Sequence, residues 1–486
     1  MKRRKVIKQI GLGLSAGIVL PGWFASCAKD DPMPAGSTVS VGVIGAGAAG
    51  LYVADILKAQ GINVKIFEAS DRIGGRVRTL KSNDKPSASL LFTSQAALSS
   101  DFPNELGAGQ IFGSDSSWSK IIEQLQLTTV NISTSSADNY FLDGAFVESS
   151  VAEADGDFTA ARNFVNAISS YAGGNVSVQQ AIESAGISPR MYAILNSWIG
   201  NRYGTSNDYL GMQALAQEME LLTRNNEILT LSDNPMQDAL LSRFSTAVPD
   251  VEVNANVNAI NFGGDKVLIS GVNSVTAETF SAEVDKVIVT VPLSILKSGA
   301  INFAPSLPSN KTSALGRMDM DATLRVLLDF KANFWGSDSG FLFGGKDGPD
   351  YFNSGAGRSS ENRTMAVTIA GPKAAGLSPL GKELIPVLLA ELDSIFDGKA
   401  TQNIRKDLDD NIIAVIQDWT LEPTIQGGVA YAKPGGTHQD RIDLASPIGK
   451  SVFFAGEATD LNGEFGNLNG ALLSAERCAQ EIIDSL

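Results

Sequence analysis

The chain has 486 residues, 43% of them hydrophobic, enough to bury a large core spread over roughly two to four domains. A formal net charge of −15, from 38 basic and 53 acidic residues, excludes a general nucleic-acid binder, because phosphate backbones require clustered Lys and Arg. Cys27 and Cys478 are the two cysteines and His438 is the one histidine, which excludes a disulfide framework and a thiolate-rich or multi-histidine centre, so no metal is expected.

In chain order, Lys2, Arg3, Arg4 and Lys5 precede a short apolar stretch at 9–20 (QIGLGLSAGIVL). That is the layout of a targeting segment, and the stretch is too short for a membrane span. The paired arginines resemble a twin-arginine export signal, a route that carries folded, cofactor-loaded proteins. Phe24-Ala25-Ser26-Cys27 resembles a loose lipoprotein cleavage box, with Phe24 in place of the usual aliphatic residue. The expectation is an export signal over 1–27 and a periplasmic protein or a lipoprotein anchored to a membrane through a lipidated Cys27. A plain cleaved signal and an uncleaved anchor are the other readings. Residues 28–39 (AKDDPMPAGSTV) read as a flexible linker.

Residues 40–44 (SVGVI) form a β-branched run followed at once by Gly45-Ala46-Gly47-Ala48-Ala49-Gly50 and the helix-like LYVADILKAQ. Gly45 permits a tight turn, Gly47 lets the backbone approach a pyrophosphate, and Gly50 allows close helix–strand packing. The helix N-terminus then faces the phosphate charge. A second strand, NVKIF, delivers Glu68, whose carboxylate can accept hydrogen bonds from ribose hydroxyls. This unit indicates a dinucleotide and leaves NAD and FAD both open.

The next segment, Ala69-Ser70-Asp71-Arg72-Ile73-Gly74-Gly75-Arg76, resembles the GG-arginine motif of flavin enzymes, in which Arg76 offers a fork of donors to phosphate or flavin-side oxygens. At the other end of the chain, 451–485 (SVFFAGEATDLNGEFGNLNGALLSAERCAQEIIDS) resembles the closing motif of the flavin-containing amine oxidase family, which includes monoamine, polyamine and L-amino-acid oxidases. The resemblance implies FAD, with Gly456 and Glu457 at the pyrophosphate and ribityl chain. It places Asn467, Leu468 and Ala471 at a helix start facing the flavin pyrimidine. It adds 251–260 and 286–295 as further strands, with Val257 beside the adenine and Pro292 near the flavin. In 105–113 (ELGAGQIFG) it implies a flavin-lining loop formed by Gly107, Ala108, Gly109 and Gln110. Ala49, Ala69, Arg72 and Gly75 belong to the same cofactor-binding set.

The substrate half departs from the pattern. Residues 81–104 read as a surface insertion, and the helix-period segments within 158–230 as a helical cap. Trp198 and Tyr203 in that cap are either core or pocket lining. Residues 316–335 are similar to the long strand that carries a lysine near flavin N5 in the family, but the matching residue is Arg325, which cannot serve as a proton-shuttling amine. Two readings are open for Arg325: a bidentate clamp on a substrate carboxylate, or a partly buried ion pair. In 418–436, Trp419, Gly427 and Gly428 match the segment beneath the flavin, whereas the two aromatic cage positions are Ala430 and Asn467. No cysteine occurs there, so FAD is expected to be non-covalent.

The expected fold is α/β. A doubly wound, Rossmann-type FAD-binding domain is drawn from 40–104, 240–300 and 445–486, interleaved with an α+β substrate domain of mixed sheet and helices from 105–239 and 301–444. The expected reaction is hydride removal from an amine or amino acid to give an imine, with oxygen as acceptor. Arg325 and Trp419 are the candidate catalytic groups, and Gln110, Arg325, Ala430 and Asn467 the candidate substrate contacts. The alternatives are a desaturase or oxidase of a C–C or ring C–N bond, like protoporphyrinogen oxidase or phytoene desaturase, and a non-catalytic flavoprotein.

Overall fold

The computed structural model describes residues 39–359 and 362–486; the expected export signal, Cys27 and the linker up to residue 38 lie outside the described residues. Ser40–Ile44 is the central strand of a five-stranded parallel sheet, ordered Val452–Phe454, Lys286–Val289, Ser40–Ile44, Asn63–Phe67, Val251–Glu252. Its central strands are apolar on both sides, as a sheet covered on both faces requires. Alternation then decides which cluster each residue joins. Val41, Val43, Ile66, Ile288 and Phe453 pack with Leu51, Ile56, Leu472, Ala475 and Ala479 of the helices Ala48–Ala59 and Leu468–Asp484. Ile44, Phe67, Val287, Val289 and Phe454 turn the other way, onto Val257, Ile260 and Ile269 of a four-stranded sheet made from Ala255–Asn261, Val267–Asn273, Thr279–Val284 and Asn302–Ala304.

The 251–260 segment is therefore shared between two sheets. Val251–Glu252 completes the parallel sheet, Asn254 turns the chain at φ 58°, and Ala255–Asn261 enters the second sheet.

An eight-stranded mixed sheet forms the other half, ordered Leu90–Phe92, Ala414–Asp418, Thr323–Asp329, Thr364–Ala370, Asp350–Asn353, Ser339–Phe343, Ala137–Leu142, Ala145–Glu148. Helix Leu384–Ile395 covers one region of it through Leu388 and Leu392 packed on Val326, Val367 and Ile416. The cap forms at 156–221, where Asp155 accepts from the backbone N–H groups of Asp157 and Phe158, and Ser177 and Gln180 close a capping box. Trp198 lies edge-on to Tyr140 and Phe158 in the cap core, and Tyr203 stacks on Phe465 with ring centroids 4.9 Å apart. Among the described residues, no helix is long and apolar enough to cross a membrane.

Two segments differ from expectation. Residues 81–104 are not a plain surface insertion of the cofactor half: Leu90–Phe92 pairs antiparallel with Ala414–Asp418, and fully buried Leu90 packs on Leu327 and Val415. Ser99 ties the rest down by donating from N and Oγ to the Asp329 carboxylate. Conversely, helix Ser117–Gln124 falls within 105–239 and helix Met236–Arg243 begins there, yet they bury Trp118, Ile121, Ile122, Met236 and Ala239 in the cluster around the first and last helices. Both differences have one cause, apolar stripes whose partners are far away in sequence.

Candidate active site

Between the parallel sheet and the eight-stranded sheet lies a cavity of about 770 Å³, walled by both halves of the chain. One end is built on the first glycine turn. Gly45 adopts φ 108°, and its N–H is held by the Phe67 carbonyl at 2.8 Å. Gly47 caps helix Ala48–Ala59, so the free N–H groups of that helix point into the cavity beside Ala49. Gly50 is off the wall; a Cβ there would lie 2.0 Å from the Gly45 carbonyl oxygen, which makes it a packing residue. Glu68 ends the second strand with Oε2 accepting from Ala46 N at 2.7 Å and Oε1 from Ser70 N and Oγ. Its carboxylate is thereby locked at the cavity wall next to Ala69, with Val257 and Pro292 on the wall as well.

The middle of the cavity is knotted by Arg76. Its Nη1 donates to the Gly428 carbonyl at 2.6 Å and to Glu457 Oε1 at 2.8 Å. Glu457 also accepts from Ala430 N and Gly466 N, so one buried carboxylate joins the GG-arginine segment, the Trp419–Gly428 segment and the C-terminal motif. Arg72 donates to the Gly75 carbonyl and sits 5.8 Å from the Trp419 ring. At the far end, Asn467 caps Leu468–Asp484 by accepting from Gly470 N, which brings a second helix N-terminus to the wall with Leu468 and Ala471. Gly75, Gly107, Ala108, Gly109, Gln110, Arg325, Trp419 and Gly456 line the same chamber.

Ala430 does not line it. The residue is fully buried and packs with Leu293, Met320, Trp419 and Ile425 behind the wall, while Val429 occupies the wall itself. The candidate substrate contact thus moves from Ala430 to Val429. The next side chain, Tyr431, donates its hydroxyl to Asp321 at 2.8 Å, away from the cavity. Sequence reasoning also missed Thr290, Phe112, Thr323, Thr368 and the loop 422–426. Strand alternation from Arg325 could have found Thr323; Thr368 is reachable only through strand register.

Glu105 lies buried just behind the lining loop, accepting from Met236 N at 2.9 Å and Thr79 Oγ1 at 2.7 Å. Burial pushes its carboxyl up to about 7, against the pull of those hydrogen bonds and of Arg358 and Arg325. From about pH 4.5 to about 7 the folded chain holds a proton that the unfolded chain has released, so stability falls as pH rises across that window. Glu105→Gln preserves the protonated shape and is expected to flatten that part of the profile of Tm against pH. An unchanged slope would assign it to another group.

A glycine-lined chamber with a locked carboxylate, part-buried arginines and two helix N-termini at its wall has the form of a dinucleotide-cofactor site. The sequence matches the profile of the flavin containing amine oxidoreductase family over residues 48–186 and 187–483, and the chain belongs to that family. Polyamine oxidase 2 of Arabidopsis thaliana is 24% identical over 479 residues, spanning 92% of this chain and 89% of the relative. Human lysine-specific histone demethylase 2 is 28% identical over 250 residues, 48% of this chain but only 28% of the demethylase. The chain thus spans little more than a quarter of the length of that demethylase. Among solved structures, putrescine oxidase bound to putrescine superposes with a TM-score of 0.72 and cyclohexylamine oxidase from Brevibacterium oxydans with 0.71. Each is 18% identical and covers 92% of this chain and 99% of the other, a likeness of fold. FAD is the cofactor of the family, and the chamber fits it: a backbone cradle at one end, and unpartnered Arg325 Nε and Thr323 Oγ1 on the wall at the other.

Proposed function

We propose that the protein oxidises an amine, removing a hydride from the carbon next to the amine nitrogen to give an imine that hydrolyses, with oxygen as the final acceptor. One observation carries this reading. The cradle around Glu68 and the substrate-side groups Arg325 and Thr368 face one continuous chamber, so a cofactor held by the first end reaches a substrate held by the second. FAD, when bound, supplies the hydride acceptor. The relatives' names are those of amine oxidases and demethylases, which weighs against the carbon–carbon oxidation also consistent with the glycine motifs.

In this reading Glu68 holds the ribose, and Gly45, Gly47, Ala49, Gly75 and Arg76 hold the pyrophosphate with Gly456. Glu457 keeps Arg76 in place. The start of helix Leu468–Asp484 stabilises negative charge at the flavin pyrimidine. Trp419, pinned by Nε1–H to the Leu106 carbonyl at 3.0 Å, supports the lining loop. Gln110, Val429 and Asn467 contact the substrate, and no aromatic pair sandwiches the amine. Arg325 stays a hydrogen-bond donor, so no proton is routed through it. Attachment of FAD is non-covalent, since Cys478 and His438 are both off the wall. The proposal includes export, which rests on the N-terminal pattern of residues 2–20 alone.

Anaerobic mixing of the holoenzyme with a panel of amines and amino acids tests this reading. Bleaching of the flavin absorbance by at least one amine is expected. Bleaching by a porphyrinogen or polyene and by no amine would replace the reading with carbon–carbon or ring oxidation.

A further inference from the structure

Residues two apart on a strand share a face, so strand Thr323–Asp329 sends Thr323 and Arg325 to the same side. The antiparallel neighbour Thr364–Ala370 sets Thr368 directly opposite Arg325, and all three residues line the chamber. Arg325 Nη1 donates to Thr368 Oγ1. Its Nε has no partner, and neither has the Thr323 hydroxyl. Among the described residues no carboxylate lies within ion-pair distance of the guanidinium, so the buried ion pair considered from the sequence is not what the fold builds.

Asp350 and Glu105 are the carboxyl groups that influence Arg325 electrostatically. Neither is on the chamber wall: both Glu105 oxygens are engaged by Met236 and Thr79, while Asp350, paired with Thr368 from the next strand, makes no ion pair with Arg325 and has its Oδ1 buried without a partner. A guanidinium in a protein does not shed its proton to escape burial, so the idle Nε of this wall-lining arginine is open to an acceptor that enters the chamber. A planar donor fork flanked by two hydroxyls matches a carboxylate.

We propose that Arg325, with Thr368 and Thr323, is a carboxylate subsite, and that the substrate is an amine bearing a carboxylate, of the amino-acid class. The substrate class rests on the amine-oxidation reading; the subsite itself does not.

The test uses the holoenzyme and unreactive probe pairs, acetate with acetamide and benzoate with benzamide, titrated against the flavin absorbance spectrum. In the unmodified protein at least one acid is expected to bind about 30-fold or more tightly than its amide, the size of effect that loss of a buried charge partner produces. Arg325→Met should bring acid and amide to similar affinity, mainly by weakening the acid, with the flavin-to-protein ratio read on the same sample. Arg325→Lys, which keeps the charge and loses the fork, should fall between. Equal affinities in the unmodified protein, binding by no acid, or an acid preference that survives in Arg325→Met would each overturn the subsite. The two readings fail separately. Flavin bleaching by amines without an acid preference removes the subsite alone, whereas an acid preference without bleaching removes amine oxidation alone.

Discussion

Replacing Gly107 with alanine is expected to yield a protein without bound flavin. A Cβ at this position would lie 1.9 Å from the Arg76 carbonyl oxygen and 3.0 Å from Trp419 Cζ2. The first is backbone and cannot rotate away. Leu106 N and Gly107 N both donate to the Arg78 carbonyl, and Ala108 N donates to that of Arg76, so the lining loop and the GG-arginine segment are zipped together at this point. Relief requires pulling them apart, at a cost above the roughly 1–3 kcal/mol of ordinary overpacking. The separation also displaces Arg76 from Glu457 and so opens the middle of the chamber. The ratio of flavin to protein absorbance after purification is the readout. Gly316→Ala is the control: its Cβ meets nothing within 4 Å at an exposed helix position, and gains of roughly 0.5–1 kcal/mol are typical there. Full flavin occupancy in Gly107→Ala would show that the loop moves freely.

The second large effect is expected at Arg441, which is off the chamber wall. Its guanidinium is buried and pairs through Nε with Glu218 of the cap helix Met212–Leu221. Nη2 donates to the Ala430 carbonyl at 2.9 Å and Nη1 to that of Ala458 at 3.1 Å, while the group lies 4.5 Å from the Phe465 ring. One side chain therefore binds the cap to the two segments that carry Val429 and Glu457. Burial already raises the Glu218 carboxyl pKa, and Arg441 is the main influence opposing it. Arg441→Met strands that carboxylate, at a cost of about 3–5 kcal/mol. For a chain of this length that lowers Tm by roughly 3–5 °C. Adding Glu218→Gln should restore much of the loss, because the stranded charge disappears with it. A double variant no more stable than Arg441→Met would place the energy in the carbonyl contacts instead.

The readability of the site from sequence follows the distance over which each feature is decided. Gly45, Gly47 and Glu68 lie within one strand–turn–helix–strand unit, where turn geometry and capping are local, and the structure seats all three on the chamber wall. The C-terminal unit behaves alike: Asn467 caps its own helix, so Leu468 and Ala471 reach the wall without help from distant residues. Ala430 failed because side-chain direction at a strand end depends on its partner. Pairing of Met320 with Ala430 buries the alanine and leaves Val429 on the wall.

Sequence alone determined the dinucleotide cradle of this protein, because glycine turns, caps and alternating apolar runs act within a few residues, and the resemblance of its arginine and closing motifs to a flavin family pointed to FAD. Only the tertiary structure decided the substrate half. It set Thr368 opposite Arg325 across 43 positions of chain, joined Leu90 to the far sheet and Trp118 to the near one, and left Arg325 without a carboxylate partner. Those outcomes depend on register and on which apolar stripes meet, and no local spacing encodes either.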